Sequence, residues 1–504
     1  MEIKIIYTTD THGRLSAYDF LNKNYGNFGL SRLPSYLNKL TSPYLLLDNG
    51  DSLQGSPLLD YTRKNKLANP VAKVFNALNY NYVTVGNHDF NYGLPYLRVF
   101  QKQFKHDILA ANIFQDNKPL FMPYAICELS GLRIGIIGLI TEYTPFWEKP
   151  SHIKDLQFID VITAVKKTIT DNNLKAKTDL IVVLYHGGFD PEKTYGIALG
   201  ENKAYELLQM EEIDILLTGH QHEPQIHKRN NRLAMQTSAN ATDFGVITID
   251  FINEAGENKI KTIDGTIIPL ANYKIDEAIE ALISDEIAKT NLFLSETIGF
   301  TNHDMTITSP LSCRIKKHHL FQLINQVQLD YTKADISAAS LPNDTHGFLP
   351  KITLNDIAAN FPFENDLVIL EITGLILKAA LENNARYFIL ENDTIVVNPK
   401  FLFPKKEHYN YDVYDGIDYI INVSKPLGER ITNLTFKGQP VKPEQTFTLA
   451  LTSYRAFGSG GFEMFLEAKK IASFPVSYFT LIADYIKKSP TLDFTLNENY
   501  KVIK

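Results

Sequence analysis

The chain opens on Ile3-Lys4-Ile5-Ile6-Tyr7-Thr8-Thr9-Asp10-Thr11-His12, a short apolar run that ends in two metal-ligand side chains. Four more runs end the same way. Tyr44–Leu47 leads to Asn49-Gly50-Asp51, and Tyr82–Val85 leads to Gly86-Asn87-His88-Asp89. Ile181–Leu184 leads to His186-Gly187-Gly188, and Ile215–Leu217 leads to Gly219-His220-Gln221-His222. Each run has the length and β-branched content of a buried strand. Ligands of open α/β sheets bind outside the carboxyl ends of the strands. The Asp and His residues recur at that end of every run, which a chance scatter would not do.

The set comprises Asp10, His12, Asp51, Asn87, His186, His220 and His222. Mixed imidazole and carboxylate donors suit Mn, Zn, Co or Fe rather than the all-oxygen shell of calcium. Seven donors exceed one tetrahedral ion and match two divalent ions sharing a bridge. Asp51 is the expected bridge, since a carboxylate has two oxygens and Gly50 lets the backbone approach. Asp10 and His12 are expected to alternate on an extended segment and so point into one pocket, as are His220 and His222. Two metals about 3.5–4 Å apart clamp a phosphoryl group and stabilise its attacking and leaving oxygens. His88 follows Asn87 directly, so the two side chains diverge. An imidazole beside such a centre can protonate a leaving oxygen.

Together, Asp-x-His, Gly-Asp, Gly-Asn-His, His-Gly-Gly and Gly-His-x-His resemble the calcineurin-like metallophosphoesterases, and more narrowly the two-domain 5′-nucleotidase family. The resemblance extends to Asn355-Asp356-Ile357, Phe361–Asn365 and Tyr454-Arg-Ala-Phe-Gly-Ser-Gly-Gly-Phe462 in the second half. It implies an N-terminal metallophosphoesterase sheet sandwich flanked by helices, a connecting helix, and a smaller C-terminal α+β substrate-binding domain. It also implies a ligand set of Asp10, His12, Asp51 and His222 for one ion, and of Asp51, Asn87, His186 and His220 for the other.

Three details bear on the branch. The aspartate that pairs with the histidine of Gly-Asn-His in 5′-nucleotidases is here Asn91. Asp48-Asn-Gly-Asp-Ser-Leu-Gln-Gly-Ser-Pro57 is similar to the 2′,3′-cyclic-nucleotide 2′-phosphodiesterase/3′-nucleotidase branch, as is Asn410-Tyr-Asp412 with Gly416-Ile-Asp-Tyr419. The Gly-Gly-Gly-Ile-Arg stretch of 5′-nucleotidases is absent, its counterpart reading Asp335-Ile-Ser-Ala-Ala-Ser340. His88 and Asn91 are therefore the expected catalytic pair. In this family two rings of the second domain stack on the base. By motif position they fall on Tyr411 and Tyr454, with Tyr414 and Phe457 as neighbours that can take the role. Asn410, Asp412 and Asn360 are candidates for base-edge contacts. Gly458, Gly460 and Gly461 permit a tight backbone beside Tyr454, and Gly460 replaces the family's aspartate.

A chain of 504 residues exceeds one core, so at least two domains are expected. A net charge of −7 offers no basic surface for a nucleic-acid polymer, whereas a small nucleotide still suits a metal centre. Cys127 and Cys313 fall on opposite sides of the expected boundary and read as unpaired thiols, which suits a reducing compartment. No apolar run reaches the roughly 20 residues that span a membrane. With the first strand at Ile3 no signal peptide is read. The expectation is a cytoplasmic monomer or weak dimer, extracytoplasmic if a leader was removed before residue 1.

The spacing predicts helices over Ser31–Leu40 and Pro70–Leu78, a strand over Arg133–Ile140 and a hairpin over Val246–Ile252 and Lys259–Ile268. Apolar residues at helical spacing from Asp276 to Ser295 predict one long amphipathic helix. The expected domains are 1–272 and 299–504, with 273–298 connecting them. In the second, Leu320–Tyr331 and Gly374–Asn384 read as helices, and Tyr419–Val423 and Thr446–Leu451 as strands. Lys316-Lys-His-His319 reads as a solvated helix face. The resulting expectation is hydrolysis of 2′,3′-cyclic nucleotides to 3′-nucleotides and on to nucleosides. The alternatives are a 5′-nucleotidase or UDP-sugar diphosphatase, and a metal-dependent nucleotide-binding protein without turnover.

Overall fold

A computed structural model describes residues 1–189, 202–361, 366–403, 406–474 and 476–504. Pro362–Asn365 of the resemblance lies outside them. The chain forms two compact units, Met1–Asn291 and Leu292–Lys504.

The first unit is built on two sheets. In one, the strands Glu2–Thr8, Tyr44–Asp48 and Tyr82–Val83 run parallel, and the antiparallel hairpin Asp243–Glu254 and Glu257–Pro269 extends the sheet beside Glu2–Thr8. In the other, Leu132–Ile140, Leu180–His186, Ile215–Thr218 and Arg232–Gln236 run parallel, with antiparallel edges at Tyr124–Leu129 and Gln225–Arg229. Strand alternation sorts the side chains. Ile3, Ile5, Tyr7, Leu45 and Leu47 of one sheet share a buried core with Val182, Leu184, Ile215 and Leu217 of the other. Ile181, Val183 and Tyr185 face the opposite way, onto Val161, Val165 and Leu207 of the outer helices Val161–Asp171 and Ala204–Gln209. Both faces are covered, which is why these strands read as continuous apolar runs.

Local signals start and stop the helix over Pro70–Leu78 as expected. Asn69 caps it by accepting from Val71 N and Ala72 N, and Asn79 ends it in the left-handed conformation. The expected long helix from Asp276 is instead two, Glu277–Leu282 and Ser284–Leu294. Between them Ile283 leaves helical geometry at φ −122°, ψ 11°, with its side chain fully buried.

The second unit is α+β. A mixed five-stranded sheet runs in the order Asp412–Asp415, Ile336–Ser340, Thr446–Thr452, Leu367–Thr373, Lys469–Phe474. The helices His319–Thr332, Gly374–Ala385 and Tyr478–Lys488 belong to the same unit. Lys317 corrects the reading of 316–319 as a solvated face. It is buried and paired with Asp415, and it donates to Asn499 Oδ1 at 2.9 Å. Cys127 and Cys313 are both free thiols. Among the described residues no helix is long and apolar enough to cross a membrane.

Candidate metal centre and ring platform

All seven expected metal donors lie at or just beyond carboxyl ends of the parallel strands. Asp10 and His12 follow Glu2–Thr8, Asp51 follows Tyr44–Asp48, and Asn87 lies just beyond Tyr82–Val83. From the other sheet come His186, the last residue of its strand, and His220 and His222 after Ile215–Thr218. The donor atoms converge. His222 Nε2 lies 3.2 Å from Asp10 Oδ1 and 3.2 Å from His12 Nε2. His186 Nε2 lies 3.2 Å from Asp51 Oδ2 and 3.9 Å from Asp10 Oδ1. His220 Nδ1 lies 3.0 Å from Asn87 Oδ1. Two donor groups have metal-site spacing, Asp10–His12–His222 and Asp10–Asp51–His186.

The backbone corrects one expectation. Asp10 (φ 50°), His12 (46°), Asp51 (57°), His220 (73°) and His222 (62°) all occupy the left-handed region rather than an extended segment. They reach one pocket because each bends the chain back toward it. Such conformations cost about 1–3 kcal/mol each for non-glycine residues and cluster where function requires them. Gly50 (φ 89°) and Gly86 let the loops meet. A Cβ on Gly86 would collide with Asp51 Oδ1 and His186 Cε1.

Hydrogen bonds orient the imidazoles. His186 Nδ1 faces Asn49 O at 2.7 Å and His12 Nδ1 faces Gln54 O at 3.2 Å. A carbonyl only accepts, so each Nδ1 carries the hydrogen and each Nε2 is left to face the centre. Asp51 Oδ2 and His186 Nε2 are buried, face each other at 3.2 Å and have no other hydrogen-bond partner among the described residues. Burial works against charge on His186, yet Asp51 and Asp10 outweigh it and push the imidazole up to about 10. Burial would likewise raise Asp10 and Asp51. The imidazoles, His186 foremost, instead hold both carboxyls well below the ordinary range. The pocket thus demands positive charge, and divalent ions meet that demand. Burial holds His12 at about 4 and His220 at about 3, so both are neutral and ready to ligate at neutral pH. The residues present fit metal ions.

Several supporting residues carry no ligand signal of their own. The carboxylate of Asp89 accepts from Asp51 N, Ser52 N, Leu53 N and Gly86 N. Trp147 stacks on His220, with ring centroids 5.2 Å apart and 30° between planes. His88 is half-buried, and its Nδ1 lies 2.8 Å from Asn91 Oδ1. Asn91 Nδ2 in turn donates to Glu148 Oε2 at 2.7 Å.

In the second unit the structure corrects the expected ring pair. Tyr411 is fully buried against Tyr387 and Phe388, and Tyr414 is equally buried, so neither offers a face to a ligand. Tyr454 is 39% exposed and Phe457 51%. The partner ring of Tyr454 is Tyr409, half-buried, at a centroid distance of 6.3 Å. Tyr409 and Tyr411 are two residues apart, and only burial tells them apart. Asp412 is also corrected. Its carboxylate is buried in a two-pronged pair with Arg455, accepting from Nε at 2.8 Å and Nη2 at 2.9 Å. Arg455 further donates to Tyr409 O and Ser459 O, so it ties the two ring-bearing segments together. Asn410 is buried beside it, donating to Glu407, and Asn360 is spent on Gly347 and Asp356. Gly458, Gly460 and Gly461 all have positive φ, as the tight turn after Tyr454 requires.

Residues 3–224 match the calcineurin-like phosphoesterase family, and residues 297–467 match the 5′-nucleotidase C-terminal domain. A Haemophilus influenzae protein named 2′,3′-cyclic-nucleotide 2′-phosphodiesterase/3′-nucleotidase is 27% identical, over 99% of this chain and 86% of its own length. A Yersinia enterocolitica protein of the same name is 29% identical, over 92% and 81%. Among solved structures, a Staphylococcus aureus protein provisionally assigned as a 5′-nucleotidase is 29% identical, covers both chains fully and has a TM-score of 0.88. With its phosphoesterase sheets and its convergent Asp/His centre, the chain carries a calcineurin-like phosphoesterase domain followed by a 5′-nucleotidase C-terminal domain, and it is a metal-dependent enzyme that hydrolyses nucleotide phosphoesters.

Proposed function

We propose that this enzyme opens 2′,3′-cyclic nucleotides to 3′-nucleotides and then releases phosphate from the 3′ position. The observation that carries this reading is the run of relatives bearing that paired name, which align with nearly the whole chain. Asn91 in place of the aspartate of 5′-nucleotidases supports the same branch. The 5′-nucleotidase reading remains the alternative, favoured by the name of the Staphylococcus aureus structure.

Two ions would be held, one by Asp10, His12, Asp51 and His222 and the other by Asp51, Asn87, His186 and His220; the spacing of Asp10, His12 and His222 and of Asp10, Asp51 and His186 supports this reading. When bound, they supply polarisation of the phosphoryl oxygens and a more acidic water. The protein's own residues do the rest. Asp51 would be the donor shared by both ions, and Asp89 keeps the Asp51 loop in place. His88, with Nδ1 turned to Asn91, has Nε2 free to give a proton to the departing ribose oxygen. Tyr454 and Tyr409, rather than Tyr411, are assigned to the base, for which stacking contributes about 1–3 kcal/mol.

The test is release of phosphate and nucleoside from 2′,3′-cyclic AMP, 3′-AMP, 5′-AMP and a UDP-sugar by the Mn²⁺-loaded protein, with Asp51→Asn as control. Preference for the first two supports the proposal. Preference for 5′-AMP or the UDP-sugar returns the chain to the 5′-nucleotidase branch.

A further inference from the structure

The carboxylate of Glu148 is buried and is linked to His88 through Asn91. Its Oε2 accepts from Asn91 Nδ2 at 2.7 Å. Its Oε1 lies 2.7 Å from Lys149 N, which donates to it, and 2.8 Å from His152 Nδ1. Donor and acceptor chemistry fixes the direction of this chain of hydrogen bonds. An ionised carboxylate only accepts, and an amide side chain has one accepting and one donating end. Asn91 must therefore turn its NH₂ toward Glu148 and its oxygen toward His88. That oxygen only accepts, so His88 Nδ1 must carry a hydrogen. The remaining nitrogen, Nε2, is then the one ring atom available to substrate.

We propose that Glu148 is a positioning residue that sets, through Asn91, which nitrogen of His88 carries the resting hydrogen. The inference rests on the reading of His88 as the proton donor. In that step water adds to phosphorus, the P–O bond to the ribose breaks, and its electron pair goes to the ribose oxygen. That oxygen takes the hydrogen from Nε2 of the imidazolium, and a neutral ring remains with its hydrogen on Nδ1. An amide alone does not secure this arrangement, because Asn can present either end. The buried carboxylate behind it removes the choice. Placement supports the role, since Glu148 directly follows Trp147, whose ring covers His220. The segment that touches a candidate ligand thus also supplies the anchor for the acid.

Glu148→Gln removes the constraint with little change of shape. Both amides can then turn over together, and His88 Nδ1 can meet an N–H instead of an oxygen. The experiment is ¹⁵N NMR of histidine-labelled, zinc-loaded protein, with the His88 signals assigned by their loss in His88→Gln. At a pH where the ring is neutral, the wild type should show His88 with a protonated Nδ1 and a bare Nε2, and Glu148→Gln should show a mixture. In parallel, kcat on 3′-AMP, with its poor alkoxide leaving group, should fall about tenfold or more at nearly constant KM. Turnover of p-nitrophenyl phosphate, whose leaving group needs no proton, should change less than about threefold. The double variant Asn91→Asp/Glu148→Gln places an acceptor directly against Nδ1 and should restore both the single tautomer and most of the lost kcat. An unchanged tautomer in Glu148→Gln overturns the proposal, as does an equal loss on both substrates with no rescue. His88→Gln serves as the separate check. If it leaves kcat on 3′-AMP intact, the reading of His88 as proton donor fails, whatever the tautomer result.

Discussion

Asp89 and Asp51 are joined through the backbone: Asp89 Oδ2 accepts from Asp51 N at 2.9 Å, while Oδ1 accepts from Ser52 N and Leu53 N at 2.9 and 2.8 Å. Asp51 itself sits at φ 57°, a conformation that needs such support. Asp89→Asn would replace one accepting oxygen with a donor and oppose N–H to N–H. The expected result is at least tenfold weaker metal affinity, together with destabilisation of about 1–3 kcal/mol from the buried donors left unmatched. Metal titration by calorimetry and urea unfolding read the two effects. Wild-type affinity in the variant would show that the loop holds itself.

Asp51→Asn addresses the bridge. Loss of its charge should reduce bound metal below two ions per chain and lower hydrolysis of every substrate by orders of magnitude. Elemental analysis alongside turnover distinguishes occupancy from chemistry. Near-normal turnover at full occupancy would remove Asp51 from the bridging position. Chelation of wild type should likewise abolish activity and lower the melting temperature, because ions that bind only the folded state stabilise it by mass action.

Replacing Tyr409 and Tyr454 together by Ala should raise KM for nucleotides by about tenfold or more and spare a small aryl phosphate. Tyr411→Phe should leave nucleotide KM unchanged, since that ring is buried among Tyr387 and Phe388. An effect of Tyr411→Phe on KM as large as that of the double variant would restore Tyr411 to the base site.

His408 makes the second unit sensitive to acid. Burial, with the charge of Arg314 next, holds its imidazole down at about 4, and Tyr387 Oη sits 2.6 Å from Nδ1. A depressed folded pKa means that the unfolded chain takes up the proton first. The stability present above the ordinary pKa of about 6.5 is lost as pH falls from there toward 4. His408→Asn should therefore show a shallower decline of the urea midpoint between pH 7 and pH 4.5. Parallel curves for the two proteins would show that other groups carry the acid response.

Much of the first unit is legible in the sequence because strand-end motifs are local. A ligand two to five residues beyond an apolar run stays at that strand's carboxyl end however the strands pair. The helix over Pro70–Leu78 is legible for the same reason, its cap, proline and stop all lying within eleven residues. Tyr411 is misassigned from sequence because a two-residue offset from Tyr409 puts the same side chain in the opposite environment. Asp412 is misassigned because a buried carboxylate has a sequence signature only together with its partner, and Arg455 lies forty-three residues away.

The sequence by itself determined which donors stand at the strand ends and that the chain needs more than one core, because these depend on residue type, short-range periodicity and length. The tertiary structure alone decided the rest. It turned five candidate donors into left-handed bends, buried Tyr411 while leaving Tyr409 half-buried, and placed Glu148 behind Asn91. Hydrogen-bond direction and burial belong to groups brought together from distant parts of the chain, and neither is written in any one segment.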